Sequence, residues 1–105
     1  MNGCAHIVIT LPAKLDLEDG YWFYETQQPG LGDYFLDSLQ SDIDSLIVFS
    51  GVHIKPFSNA AYRSLSRNFP YAIFYTLQDK TASVIAVLDT RRDPALLAQR
   101  LQESP

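Results

Sequence analysis

The sequence holds a single cysteine, Cys4, so no disulfide can form within the chain, and one thiol with two histidines lacks the clustered ligands of a structural zinc site. A reducing, cytoplasmic setting is expected, with no metal and no cofactor. Cations are also scarce, with eight Lys and Arg against twelve Asp and Glu giving a formal net charge of −4. A dedicated nucleic-acid binder usually has the opposite balance, because it must displace counterions from phosphates. Only a local basic patch could meet a polyanion here. Long apolar runs are missing as well. Ala5 to Leu11 is too short to span a bilayer and has no Lys or Arg ahead of it, so neither an anchor nor a signal peptide is expected. Repeats, low-complexity tracts and interdomain linkers are absent too.

What remains is ordinary globular material. With 105 residues, 47% of them hydrophobic and 19% charged, the chain suits one domain over 1–105 with a single modest core. The β-branched residues between His6 and Leu11 predict a strand that Pro12 stops. Leu17, Tyr21 and Tyr24, broadened by Leu15 and Trp22, predict a helix over Ala13 to Gln28. Gly20 should weaken that helix by about 1 kcal/mol relative to alanine, and Pro29-Gly30 ends it. Phe35, Leu39, Ile43 and Leu46 recur at four, four and three and predict a second helix over Gly32 to Phe49, with Asp33, Asp37, Asp42 and Asp44 on its other face. A link as short as Pro29-Gly30-Leu31 forces the two helices into an antiparallel hairpin.

Beyond an irregular segment, Gly51 to Asn59, the period changes. Tyr62 to Arg67, Tyr71 to Leu77 and Ser83 to Leu88 predict three strands, with a polar turn at Gln78-Asp79-Lys80-Thr81. Pro94 suits the first turn of a short helix running to about Arg100. The order β-α-α-β-β-β plus a short C-terminal helix is an α+β layout, with the helical hairpin packed on an antiparallel sheet through Leu17, Tyr21, Phe35, Leu39, Ile43 and Leu46.

Several strings in this order carry a resemblance. They are Leu17-Glu18 leading to Trp22-Phe23-Tyr24-Glu25, then Gln28-Pro29-Gly30-Leu31-Gly32 and Phe35-Leu36. Arg63, Phe69-Pro70-Tyr71-Ala72-Ile73-Phe74-Tyr75, Ala86-Val87-Leu88 and Arg91-Arg92-Asp93-Pro94 follow. Over roughly residues 5 to 101 the chain resembles the RelE/ParE superfamily of toxins, the plasmid-stabilisation type of type II toxin–antitoxin systems. That resemblance implies a bacterial toxin held inactive by a cognate antitoxin, as a homodimer or a toxin–antitoxin hetero-oligomer, and acting on the ribosome by cutting messenger RNA or on DNA gyrase by binding.

The candidate chemistry lies in the second half. Arg63 and Arg67, four apart in one strand, would face the same way about 13 Å apart. With Lys55, Arg91 and Arg92 they form either a solvated sheet edge of weak ion pairs or a basic patch for a target or the antitoxin. Asp89 belongs to the same target- or antitoxin-binding set of Arg63, Arg67, Asp89, Arg91 and Arg92. A ribonuclease would use Lys55 or His53 as base, Arg63 and Arg67 as charge stabilisers, and Tyr75, which could stack on a base or simply pack. His6 is expected to be structural. Many relatives place a histidine where Asp89 stands, and often an arginine where Asn68 stands. An ionised carboxylate is a poor proton donor and repels phosphate, so the expectation leans away from an enzyme and towards gyrase binding. The rivals are a ribosome-dependent endoribonuclease and a decayed toxin that retains only antitoxin binding.

Overall fold

A computed structural model describes residues 2–56 and 61–102, and the last part of the expected irregular segment, 57–59, lies outside them. The elements are β1 (His6–Ile9), α1 (Leu11–Glu25), α2 (Leu31–Asp44), α3 (Leu46–Phe49), β2 (Tyr62–Leu65), β3 (Tyr71–Gln78), β4 (Thr81–Asp89) and α4 (Pro94–Gln102). This is the expected α+β order. The four strands lie in the order β1-β4-β3-β2. β3 is antiparallel to both neighbours, whereas β1 runs parallel to β4, with His6 opposite Thr81 and Ile9 opposite Val84. The sheet is therefore mixed, not wholly antiparallel. Side-chain alternation reports which face a strand buries but not its direction; a parallel pair needs a long crossover, which the helical hairpin supplies.

Both long helices cover one sheet face. Phe35, Leu39, Ile43 and Leu46 are fully buried there against Ile73, Tyr75 and Val84, while Leu17 packs at the margin. Glu25 at the end of α1 caps α2, its carboxylate accepting the N–H of Gly30 at 3.1 Å and of Gly32 at 3.0 Å. This satisfies donors that a helix start leaves free, in the place where negative charge is favoured. Gly30 has a φ of 91°, and a Cβ on Gly32 would lie 2.8 Å from the Tyr21 ring.

Gly20 is more than a weak spot in α1. A Cβ there would come within 2.4 Å of the Phe35 ring, so the glycine sets how closely the two helices approach. Gly20→Ala gains about 1 kcal/mol of helix propensity but collides with a fully buried ring, and overpacking of that kind costs about 1–3 kcal/mol. A lower denaturation midpoint is expected for Gly20→Ala; a higher one would mean that Phe35 has room to move.

The single helix expected over Gly32 to Phe49 is broken at Ser45, whose hydroxyl donates to the Asp42 carbonyl at 2.6 Å. A serine bonded to the preceding turn competes with the helical ladder. The β3–β4 turn is tight, with Asp79 and Lys80 at φ of 52° and 63°, the left-handed pair that a two-residue hairpin requires. The pairing slips between Phe74 and Tyr75, where Phe74 faces Ala86 but Tyr75 faces Val84. Ile85 is the extra residue. This bulge switches parity along β4, so Val84 and Val87 both point at the helices.

The opposite sheet face is covered by α4, whose Leu97 and Leu101 pack with Ala72, Phe74, Ala86 and Leu88. Beyond Val84, β4 has no β1 beside it. The exposed ladder is satisfied by side chains instead: Thr10 Oγ1 donates to the Val84 carbonyl at 2.8 Å, and the Val87 N–H donates to Asp16 at 3.0 Å. Asp16 also takes both terminal nitrogens of Arg100 at 2.8 Å, tying α4 to α1.

Candidate functional site

At the end of β4, Asp89 stands opposite Tyr71 in β3. Its carboxylate grips Arg91, accepting the backbone N–H at 2.9 Å, Nε at 3.0 Å and Nη2 at 2.7 Å. Those bonds, opposed by partial burial, hold the Asp89 carboxyl below the usual carboxylate range. The group is a carboxylate at neutral pH, and Arg91 is largely neutralised by it. Arg92 is exposed and has no ion-pair partner among the described residues. It lines a cleft of about 460 Å³ together with Asp19, Phe23, Tyr71, Asp89 and Arg100.

Burial, reinforced by Tyr24 and Asp89, pushes the Tyr71 phenol up to about 12. A raised pKa means that the folded state holds the proton more tightly. Stability from this group is complete below the unfolded value near 10 and is lost as pH rises towards 12, by about 2–3 kcal/mol for a shift of that size. Alkaline unfolding should accordingly be steep between pH 10 and 12, and Tyr71→Phe should flatten it. An unchanged profile in Tyr71→Phe, followed by denaturant titration at each pH, would remove Tyr71 from the account.

Tyr75 centres a second cluster. It is fully buried and packs in the main core. Its ring lies on that of Tyr62 at 5.1 Å, and the Lys55 ammonium sits 4.5 Å above the Tyr62 ring. The Tyr75 hydroxyl accepts the Gly51 N–H at 2.9 Å and is bonded to His53 Nδ1. Burial lowers the His53 pKa, which favours the neutral imidazole. The tautomer of the neutral ring sets which of the two groups donates in this bond.

The two strand arginines do not share a face. β2 ends at Leu65, and the Ser66 N–H turns to the Tyr71 carbonyl at 2.8 Å, closing the bend that leads into β3. Arg67 therefore lies outside the strand, its Nε 3.2 Å from the buried Asp42, which also accepts the Ser66 hydroxyl at 2.7 Å. Arg63 stays in β2, and strand alternation turns it away from Tyr62 and Tyr75. Its Nε is buried without a partner among the described residues, and its N–H donates to the Ile54 carbonyl at 2.8 Å. Asn68 donates to Ser38 at 2.8 Å, and His6 is exposed.

Lys55 and Tyr75 are thus brought together, while Arg63, Arg67 and the Asp89 corner occupy three other places. Asp16, Glu25 and Arg100, which hold the corner and the hairpin in position, lack any local sequence signal beyond their charge. Among the described residues no group of three or more His, Cys, Asp or Glu could hold a metal ion, and no helix is long and apolar enough to cross a membrane.

A family model described as the ParE toxin of the type II toxin–antitoxin system parDE matches residues 7–94. Among solved structures, a chain titled as the chromosomal ParDE TA system from P. aeruginosa superposes with a TM-score of 0.75 at 12% identity, covering 84% of this chain and 98% of that one. At that identity the likeness is one of fold. No curated protein matches by sequence.

Proposed function

The chain belongs to the ParE toxin family of type II toxin–antitoxin systems, and from that membership we propose that it poisons by binding DNA gyrase in the cytoplasm and is silenced by a cognate antitoxin. The observation that carries the proposal is the Asp89–Arg91 pair. A proton donor for RNA cleavage would be wanted at this corner, and the residue there is a carboxylate kept ionised by its partner. Arg67 is already engaged by the buried Asp42, which leaves it less free to meet a phosphate. Arg92 remains as an exposed cation beside a cleft, suited to an acidic contact on gyrase or on the antitoxin. Antitoxin affinity should fall as salt rises if acidic side chains reach Arg92.

Purified protein is expected to inhibit supercoiling while leaving ribosome-bound messenger RNA intact, and Asp89→His should change that inhibition little. Primer extension on translating ribosomes decides the matter. Site-specific cuts by the unmodified protein, or cuts that increase about a hundredfold in Asp89→His, would favour a nuclease working from the Lys55 and His53 cluster instead.

A further inference from the structure

Helix α1 carries two apolar faces where a surface helix normally carries one. Ala13, Gly20 and Tyr24 are buried on the inner side, whereas Leu11, Leu15 and Trp22 are exposed by 67%, 51% and 56%. Leu11, Leu15 and Trp22 stand at i, i+4 and i+11, with Glu18 between them at i+7, so they form an apolar row about 16 Å long, interrupted by one carboxylate, on the outward side. Leu11, Leu15 and Trp22 lie outside both core clusters. The hairpin around them is strongly acidic: Lys14 is the only base between Leu11 and Asp44, against eight carboxylates. Asp16, Glu25 and Asp42 are spent on internal bonds. Glu18, Asp19, Asp33 and Asp37 are exposed and have no ion-pair partner among the described residues.

We propose that this outer stripe of α1 docks an amphipathic helix of another protein whose apolar row is flanked by lysine or arginine. An apolar row supplies the contact area, Trp22 is the kind of side chain that anchors such contacts, and the carboxylates select a basic rim and reject an acidic one. A second copy of this chain is a poor occupant, since it would set acid against acid. An anionic membrane is excluded by the same repulsion. The docking face lies on the outward side of the hairpin and does not depend on gyrase being the target.

Trp22 is the only tryptophan in the sequence, so its emission reports on the stripe directly. The probes are two synthetic 18-residue helices with leucine at i, i+4, i+7 and i+11, one flanked by lysine and the other by glutamate. The lysine peptide is expected to shift Trp22 emission to the blue and to bind at least about tenfold more tightly than the glutamate peptide. Leu15→Asp should abolish the shift without moving the unfolding midpoint, because Leu15 is exposed. The proposal is overturned by no shift with the lysine peptide, by equal affinity for the two peptides, or by a response that survives Leu15→Asp. It is equally overturned if concentrating the protein alone, or adding phosphatidylglycerol vesicles, produces the shift.

Discussion

Glutamate at both 91 and 92 is expected to abolish inhibition of supercoiling, raising the concentration needed by more than about thirtyfold. Reversing a charge at a contact that depends on complementarity costs about 2–5 kcal/mol, and each 1.4 kcal/mol is tenfold. The two arginines should not contribute equally. Arg91 already answers Asp89 through two side-chain bonds, so Arg91→Glu acts by setting two carboxylates side by side and loosening the corner. Arg92 is exposed and unpaired among the described residues, and Arg92→Glu alone should account for most of the loss. A supercoiling assay with the two single variants and the double variant, alongside their unfolding midpoints, separates lost contact from lost fold. Full inhibition by a folded Arg92→Glu protein would place the gyrase contact elsewhere.

Truncating Leu39 should be the most damaging single change to the fold. Leu39 is completely buried between Phe35 and Ile43 on the face of α2 that meets the sheet, and Leu→Ala at such a site costs about 2–5 kcal/mol from lost transfer energy plus the cavity left behind. Leu36, only half-buried on the same helix, should cost less than half as much when changed in the same way. Equilibrium denaturation of the two variants tests the layout, and similar small shifts for both would mean that α2 does not seat its expected stripe in the core.

The α2 stripe was legible because one period ran through four residues with charges confined to the far side. In α1 the same method misled. Leu15 and Trp22 read as a widening of the inner stripe, yet they lie on the outer face, because a helix with apolar residues on both sides has no dominant period to read. Gly20 likewise read as a propensity defect; its purpose depends on where the Phe35 ring lies, which no local pattern contains. The strand expected over Tyr62 to Arg67 was cut short at Leu65 by the turn that Ser66 closes with Tyr71, and the two arginines separated with it. Asp89 was singled out from the sequence as a carboxylate at the end of the last strand, which is where the structure has it. Its bidentate hold on Arg91 could be suspected from their spacing, whereas the distant clamp from Arg100 to Asp16 could not.

That clamp, 84 residues from end to end, also dictates when the molecule can exist. Among the described residues β1 has no strand partner except β4, and the Val84 carbonyl meets Thr10 across 74 residues. Contacts with so large a sequence separation form late, because the loop between them must close first. On a translating ribosome the N-terminal strand and the hairpin would emerge well before β4, and α4 would still be inside the exit tunnel when β4 appeared. The Asp89 corner, which lies between β4 and α4, cannot be assembled until both have left the tunnel, so it is among the last parts of this fold to form.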